Sequence, residues 1–303
     1  MLKKNLAKLF GGKRLIITKS EGEILMKNVI IDIGNYSIKY ASDEIGKFSS
    51  RIHSNFEPNP AAFERIEIDG KTTYIGVGEL EREYNKADKN IIPQVLYAIS
   101  KATIEVDINL CFLLPINQLP EKNKMIQRFE KETFIFKIND KSRVVRINKC
   151  VVLPEGQCSY YSIKEPSKYQ LIIDIGSKTV NWCAYIDGKM EKNGTEKIGV
   201  FDFYNTVMRI ENAKGEDYIV EDIEAQIDRG RIQVSISTYK EFLLEILNRM
   251  KANINLKNYD VTFTGGGSLV FKNIIEAIPN IKIHDNPVYS NVLGAKIICE
   301  KMW

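Results

Sequence analysis

From residue 26 onward the apolar positions form short strand-like runs and then shift to helical spacing, and the same order begins again in the second half. NVIIDIG, a turn, SIKYAS and a further extended piece near Phe48 predict a meander. IEIDGKTTYIG predicts a hairpin closed at the two-residue turn Asp69-Gly70. A helix is expected from about Ile91 to Thr103, a buried strand at LCFLLPI, and a helix from Glu121 to Lys131. FIFKINDKSRVVRI then pairs with itself about Asn139-Asp140. The second half opens with YQLIIDIGSKTVNWCAYIDGKM, again an apolar strand, a glycine-containing turn and an alternating strand. Helices over Val200 to Asn212, Tyr218 to Asp228 and Thr238 to Ala252 lead to a last strand, YDVTFT, followed by Gly265-Gly266-Gly267 and two closing helices. Self-similarity at a spacing of about 140 residues, with no low-complexity linker, predicts two related α/β domains facing each other across a cleft.

Composition narrows the class. With 303 residues, 44% hydrophobic and 27% charged, the chain can bury a full core in one large or two ordinary domains, which excludes disorder, collagen and small stapled folds. Cys111, Cys150, Cys158, Cys183 and Cys299 are odd in number and form no CxxC pair, which argues against a disulfide framework or a thiolate zinc site and makes a reducing cytoplasm the default. His53 and His284 alone leave little material for a catalytic triad or a histidine-ligated metal.

The net charge of +4 lies entirely in the first 25 residues, where six cations face two acids; the rest balances at 37 of each sign. A neutral body gives no reason to expect direct nucleic-acid binding. MLKKNLAKLFGGKRL places Leu2, Leu6 and Leu9 on one helical face and lysines on the other, so it can lie on a membrane but is too short to span one. Glu21-Gly22-Glu23, just upstream of Met26, is encoded by a purine-rich string like a ribosome-binding site. Residues 1–25 therefore read equally as an extension before a natural start at Met26.

The chemistry concentrates at the two openings. IIDIGNYSIK (Ile30 to Lys39) and IIDIGSKTVN (Ile172 to Asn181) share an apolar strand, an aspartate, one residue and a glycine. Glycine at the turn lets backbone N–H groups approach phosphate oxygens, and Asp32 and Asp174 at the strand ends suit Mg2+ held through waters. The first loop runs through Gly34, Asn35, Tyr36 and Ser37 to the cation Lys39; the second runs through Gly176, Ser177, Lys178 and Thr179. Lys178 either adds a phosphate contact or points to solvent. A third loop, Thr264-Gly265-Gly266-Gly267-Ser268, lies between an apolar strand and a helix and brings a helix N-terminus towards a nucleotide's α-phosphate and sugar. Tyr160, Tyr161 and Trp182 read as packing, and Glu221, Asp222 and Glu224 as a solvated helix face.

With these three motifs in this order the chain resembles the actin, Hsp70 and sugar-kinase superfamily, and within it the ParM-type plasmid-segregation actins. YIGVGELE with Asp88-Lys89-Asn90, LCFLLPIN, VLPEGQCSYY and the tail YSNVLGAKI look like theirs, so the resemblance runs from Met26 to the end. It implies an actin-like fold of two RNase H-like α/β domains, residues 26–165 with the return of 287–303, and residues 166–286. It also implies ATP as cofactor, with GTP possible, and Mg2+ at Asp32 and Asp174. Glu155 of VLPEG, with Asp174, would carry catalysis by positioning the attacking water. Filaments of the chain itself and an adaptor protein linking them to plasmid DNA in the cytoplasm complete the expectation. The second phosphate loop departs from the family at Ser177, Lys178 and Asn181, where small residues and an acid are usual. Glu155 also reads as an acid at the start of the helix after Pro154. Two other functions share the fold: a small-molecule kinase, for which no substrate-binding polar cluster is legible, and a membrane-attached scaffold resting on residues 1–25.

Overall fold

The computed structural model describes residues 26–303 apart from 56, 81 and 82, so the amphipathic segment and the residues upstream of Met26 lie outside the described part. The apolar runs assemble into two sheets. The first takes β1 (Lys27–Ile33), β2 (Ser37–Ala41), β3 (Ile45–Ser49), β4 (Ile52–His53), β5 (Arg65–Ile68), β6 (Lys71–Ile75), β7 (Asp107–Leu114), β8 (Thr133–Ile138) and β9 (Lys141–Pro154) in the order β3-β2-β1-β7-β9-β8-β5-β6-β4. The second takes β10 (Tyr169–Ile175), β11 (Val180–Ile186), β12 (Lys189–Glu196), β13 (Asp260–Thr264) and β14 (Ile281–Ile283) in the order β12-β11-β10-β13-β14.

The two sheets repeat one topology. An antiparallel meander, β1-β2-β3 or β10-β11-β12, is extended beyond its first strand by two strands in parallel, β7 and β9 or β13 and β14. The central strands β1 and β10 are covered on both faces, which is why they read as continuous apolar runs and not as alternation. Both carry the repeated aspartate one residue before their last, at the carboxyl ends of parallel strands where open α/β sheets take ligands.

Helices cover these sheets, with three departures from the sequence pattern. The segment around Glu121 begins as a 3-10 turn, Ile116–Glu121, because Pro120 lies inside it, and becomes α-helical only over Lys122–Phe129. Tyr218 is not helical: its N–H and C=O are both bonded to the Asn212 side chain at 2.9 Å, and the helix covers only Ile223–Asp228. YDVTFT is not the last strand, since β14, three residues long and too short to show a period, pairs with it in parallel.

The final helix, Ser290–Met302, returns to the first sheet. Val292, Ala295 and Cys299 pack with Ile30, Cys111, Leu113 and Cys158. Gly294 lets this helix cross the short helix Gln157–Ser162 so closely that a Cβ there would lie 1.7 Å from the Cys158 carbonyl oxygen. All five cysteines are buried free thiols, and three of them fill this core as small apolar groups.

Candidate functional site

Strand register fixes the geometry of both phosphate-loop candidates. Asp32 stands opposite Lys39 across β1-β2, and Asp174 opposite Asn181 across β10-β11, so equivalent positions of the repeat carry a cation in one half and an amide in the other. The loop tips face a cleft of about 430 Å3, into which Gly34, Tyr36, Ser37 and Lys39 project from the first loop, Gly176 and Ser177 from the second, and Gly266 and Gly267 from the third. Lys47, opposite Lys39 on β3, adds a second cation that the sequence pattern did not single out. The remaining wall is largely apolar, with Phe201, Tyr204, Ile227, Tyr239 and Leu269, and carries the acids Glu224 and Asp228. A polar end rich in glycine and lysine beside an apolar end suits a phosphorylated ligand with a flat ring.

The other loop residues support the cleft without lining it. Asn35 turns inward, accepting a hydrogen bond from Lys89, while its carbonyl accepts from Ser50 Oγ at 2.6 Å. Thr179 closes the second turn by accepting from Gly176 N–H at 2.9 Å. Ser268 is buried and donates to the Gly265 carbonyl at 2.7 Å. Gly265, at φ +80°, lies so near Asp174 that a Cβ would stand 2.2 Å from its Oδ1. Lys178 is half-buried beside its turn.

Beneath the cleft a buried polar network joins both halves. Asp32 accepts from Lys39 Nζ at 3.0 Å and from Lys86 Nζ at 2.9 Å, and Lys86 also donates to Glu155. Asn181 Nδ2 donates to Glu155 Oε2 at 3.2 Å, its orientation set by Thr195 Oγ1 donating to Asn181 Oδ1 at 2.8 Å. Asp174 Oδ2 accepts from Asn291 Nδ2 at 2.6 Å. Burial pushes the Asp32 carboxyl up, but Lys39 and Lys86 outweigh it and hold the group below the usual carboxylate range. Burial likewise raises Glu155, and Lys86 offsets this only in part, leaving it pushed up to about 7. Asp174 is raised by burial against the opposing Asn291 bond. Burial lowers Lys86, yet its two carboxylate partners raise it further, so it stays charged.

Lys86 is the main residue that sequence reasoning missed. It lies in a 3-10 turn, Lys86–Asp88, and nothing in YNKADKN distinguishes a buried lysine from its solvated neighbours. Glu224 corrects an expectation: it does not sit on a solvated helix face but on the cleft wall, where Tyr36 OH donates to it. Trp182 is buried and bonded to Glu196, and Tyr160 stacks on Tyr185 at 3.9 Å, both as packing.

Among the described residues, no three histidine, cysteine or acidic side chains are gathered into a metal cage. Both Asp32 oxygens are engaged by lysines, whereas Asp174 has Oδ1 beside Gly265. This set fits Mg2+ held mainly by water and phosphate oxygens with one or two carboxylates, the usual manner for that ion.

Two sheets of repeated topology enclosing a glycine-lined cleft define an actin-like fold. Residues 31–157 match the family described as actin like proteins N terminal domain. The fold resembles that of Ta0583, an archaeal actin homolog, at 17% identity and TM-score 0.78, covering 91% of this chain and 100% of that one. It also resembles a 15-stranded ParM filament from Clostridium botulinum, at 16% identity and TM-score 0.76 over 92% and 100%. A third likeness is to the AlfA filament from B. subtilis plasmid pLS32, at 23% identity and TM-score 0.64 over 90% and 98%. Ta0583 has also been solved in complex with ADP. No curated protein sequence matches the chain. The chain has the actin fold, and its residues 31–157 are similar to the N-terminal domain of actin-like proteins.

Proposed function

We propose that the chain is an ATPase that polymerises into nucleotide-dependent filaments and moves plasmid DNA in the cytoplasm through an adaptor protein. The observation that carries this reading is the convergence of the duplicated IIDIG loops and the Gly265-Gly267 loop on one cleft, with Glu155 in the buried network joined to cleft-lining Lys39 through Asp32 and Lys86. The filament structures of ParM and AlfA and the ADP complex of Ta0583 support it by likeness of fold. The working division is residues 26–165 with 287–303 against 166–286, so that closing the cleft on a nucleotide brings the two halves together.

In this reading the backbone of both turns, Ser37 and Lys39 hold the phosphates, and the apolar wall holds the base. Mg2+ would be held by Asp174 and, when phosphates draw Lys39 away, by Asp32; the ion would add charge that orients the phosphates. Glu155 accepts the proton of the attacking water, while Lys86 and Asn181 fix its carboxylate. Transfer to water demands placement and charge more than covalent help.

Phosphate release and light scattering, followed together after adding Mg-ATP with no acceptor, test the proposal. The wild-type chain should show both, and Asp174→Ala should lose most phosphate release. Turnover in Asp174→Ala equal to wild type would reduce the repeated aspartates to strand-ending acids. Phosphate transfer only on adding a small hydroxyl acceptor would move the chain to the kinases.

A further inference from the structure

Tyr36 stands at the tip of the first loop, between inward-turned Asn35 and cleft-facing Ser37, and it is 40% exposed. It nonetheless makes two contacts to the opposite half. Its hydroxyl donates to Glu224, and its ring meets Phe201 edge-on with centroids 6.2 Å apart. Tyr204, which is 7% exposed on the helix Val200–Asn212 of the same half, lines the same wall. The Glu224 carboxylate therefore takes a hydroxyl donor from the tip of a loop across the cleft. The groups around it, Ile227, Tyr239 and Leu269, are the apolar wall suited to a nucleoside.

We propose that Tyr36 is a specificity-determining residue whose hydroxyl occupies, on Glu224, the seat that a nucleotide's sugar hydroxyl takes. This rests on the reading of the cleft as a nucleotide site. A ribonucleotide binds by exchanging one O–H donor to Glu224 for another, while the Tyr36 ring stays against Phe201. The exchange gives little net free energy, so the wild-type site selects weakly for the sugar hydroxyl. A nucleotide lacking sugar hydroxyls leaves the Tyr36 bond in place and forfeits little. A competitor inside the protein lowers the affinity for whatever must replace it by the fraction of molecules in which the seat is taken.

The test measures Kd by calorimetry for ADP and 2′,3′-dideoxy-ADP on the full chain with Mg2+, in wild type, in Tyr36→Phe and in Tyr36→Phe combined with Glu224→Gln. Phenylalanine keeps the ring contact and removes the competing hydroxyl. Tyr36→Phe should bind ADP about three- to tenfold more tightly and the dideoxy analogue unchanged, so that sugar discrimination appears where wild type has little. Glu224→Gln combined with Tyr36→Phe should shrink that discrimination, because a neutral amide oxygen accepts a hydroxyl more weakly than a carboxylate does. Equal shifts for the two nucleotides in Tyr36→Phe, or none, would overturn the role of Tyr36 while leaving the nucleotide site standing. Failure of wild type to bind either nucleotide would instead overturn the nucleotide reading itself.

Discussion

Glu155 leaves β9 just after Pro154, and its carboxylate meets Lys86 on one side and Asn181 on the other. Burial first, only partly offset by Lys86, holds it up to about 7, so near neutral pH it is divided between its two forms. Accepting a proton from water requires the ionised form, so hydrolysis should be full on the basic side and fall as pH drops through about 7. Glu155→Gln should lower turnover by about 10²-fold or more and flatten that dependence while nucleotide affinity stays near wild type. Phosphate-release rates across pH decide this, and an unchanged rate in Glu155→Gln would return the residue to a helix-start acid. Lys86 makes a separate prediction. Removing it strands two buried carboxylates, of which Asp32 retains Lys39 and Glu155 retains only Asn181. Lys86→Met should cost about 3–5 kcal/mol in urea denaturation, and adding Glu155→Gln should restore part of it because a neutral amide needs no cation.

Among the elements, the final helix has the most consequence for its length. Asn291 at its start accepts from Gly156 N–H and from Ser159 Oγ, both at 2.8 Å, and donates to Asp174 at 2.6 Å, so one side chain ties the second repeated aspartate to the segment that carries Glu155. That placement depends on the close crossing at Gly294. Gly294→Ala would put a methyl group against the Cys158 carbonyl and push the helices apart, costing about 1–3 kcal/mol by denaturant midpoint. Nucleotide affinity should weaken in the same variant, because Asn291 moves off Asp174. Unchanged affinity would show that the helix supports the fold alone. The hairpins at Asp69-Gly70 and Asn139-Asp140 were fully legible, since both central residues of each turn take positive φ, where glycine, asparagine and aspartate are tolerated.

For the whole molecule, the proposed switch is closure of the cleft around a nucleotide, with hydrolysis weakening the contacts that closure favours. Glu155→Gln should then separate assembly from disassembly. Filaments should form on adding Mg-ATP and persist well beyond the wild-type lifetime, followed by pelleting and phosphate release in the same samples. Filaments that disappear as fast as wild type while phosphate release is blocked would detach the switch from hydrolysis. No helix among the described residues is long and apolar enough to cross a membrane.

The sequence by itself determined the repeat. Two apolar strands buried on both faces, each ending in Asp-Ile-Gly, can only be central strands of a sheet, and their like order dictated two like sheets with loops at equivalent ends. Local chemistry of this kind is written in consecutive residues and survives reading one residue at a time. What surrounds those loops was decided only in three dimensions. Lys86, Glu155, Asn181 and Asn291 come from four separate segments. Whether a lysine is solvated or buried between two carboxylates depends on what lies 54 and 69 residues away. Glu224 likewise reads as one more acid on a short helix until the first loop, 188 residues distant, brings Tyr36 across to it. Ion pairing and burial are properties of proximity, and sequence order leaves no periodic trace of them.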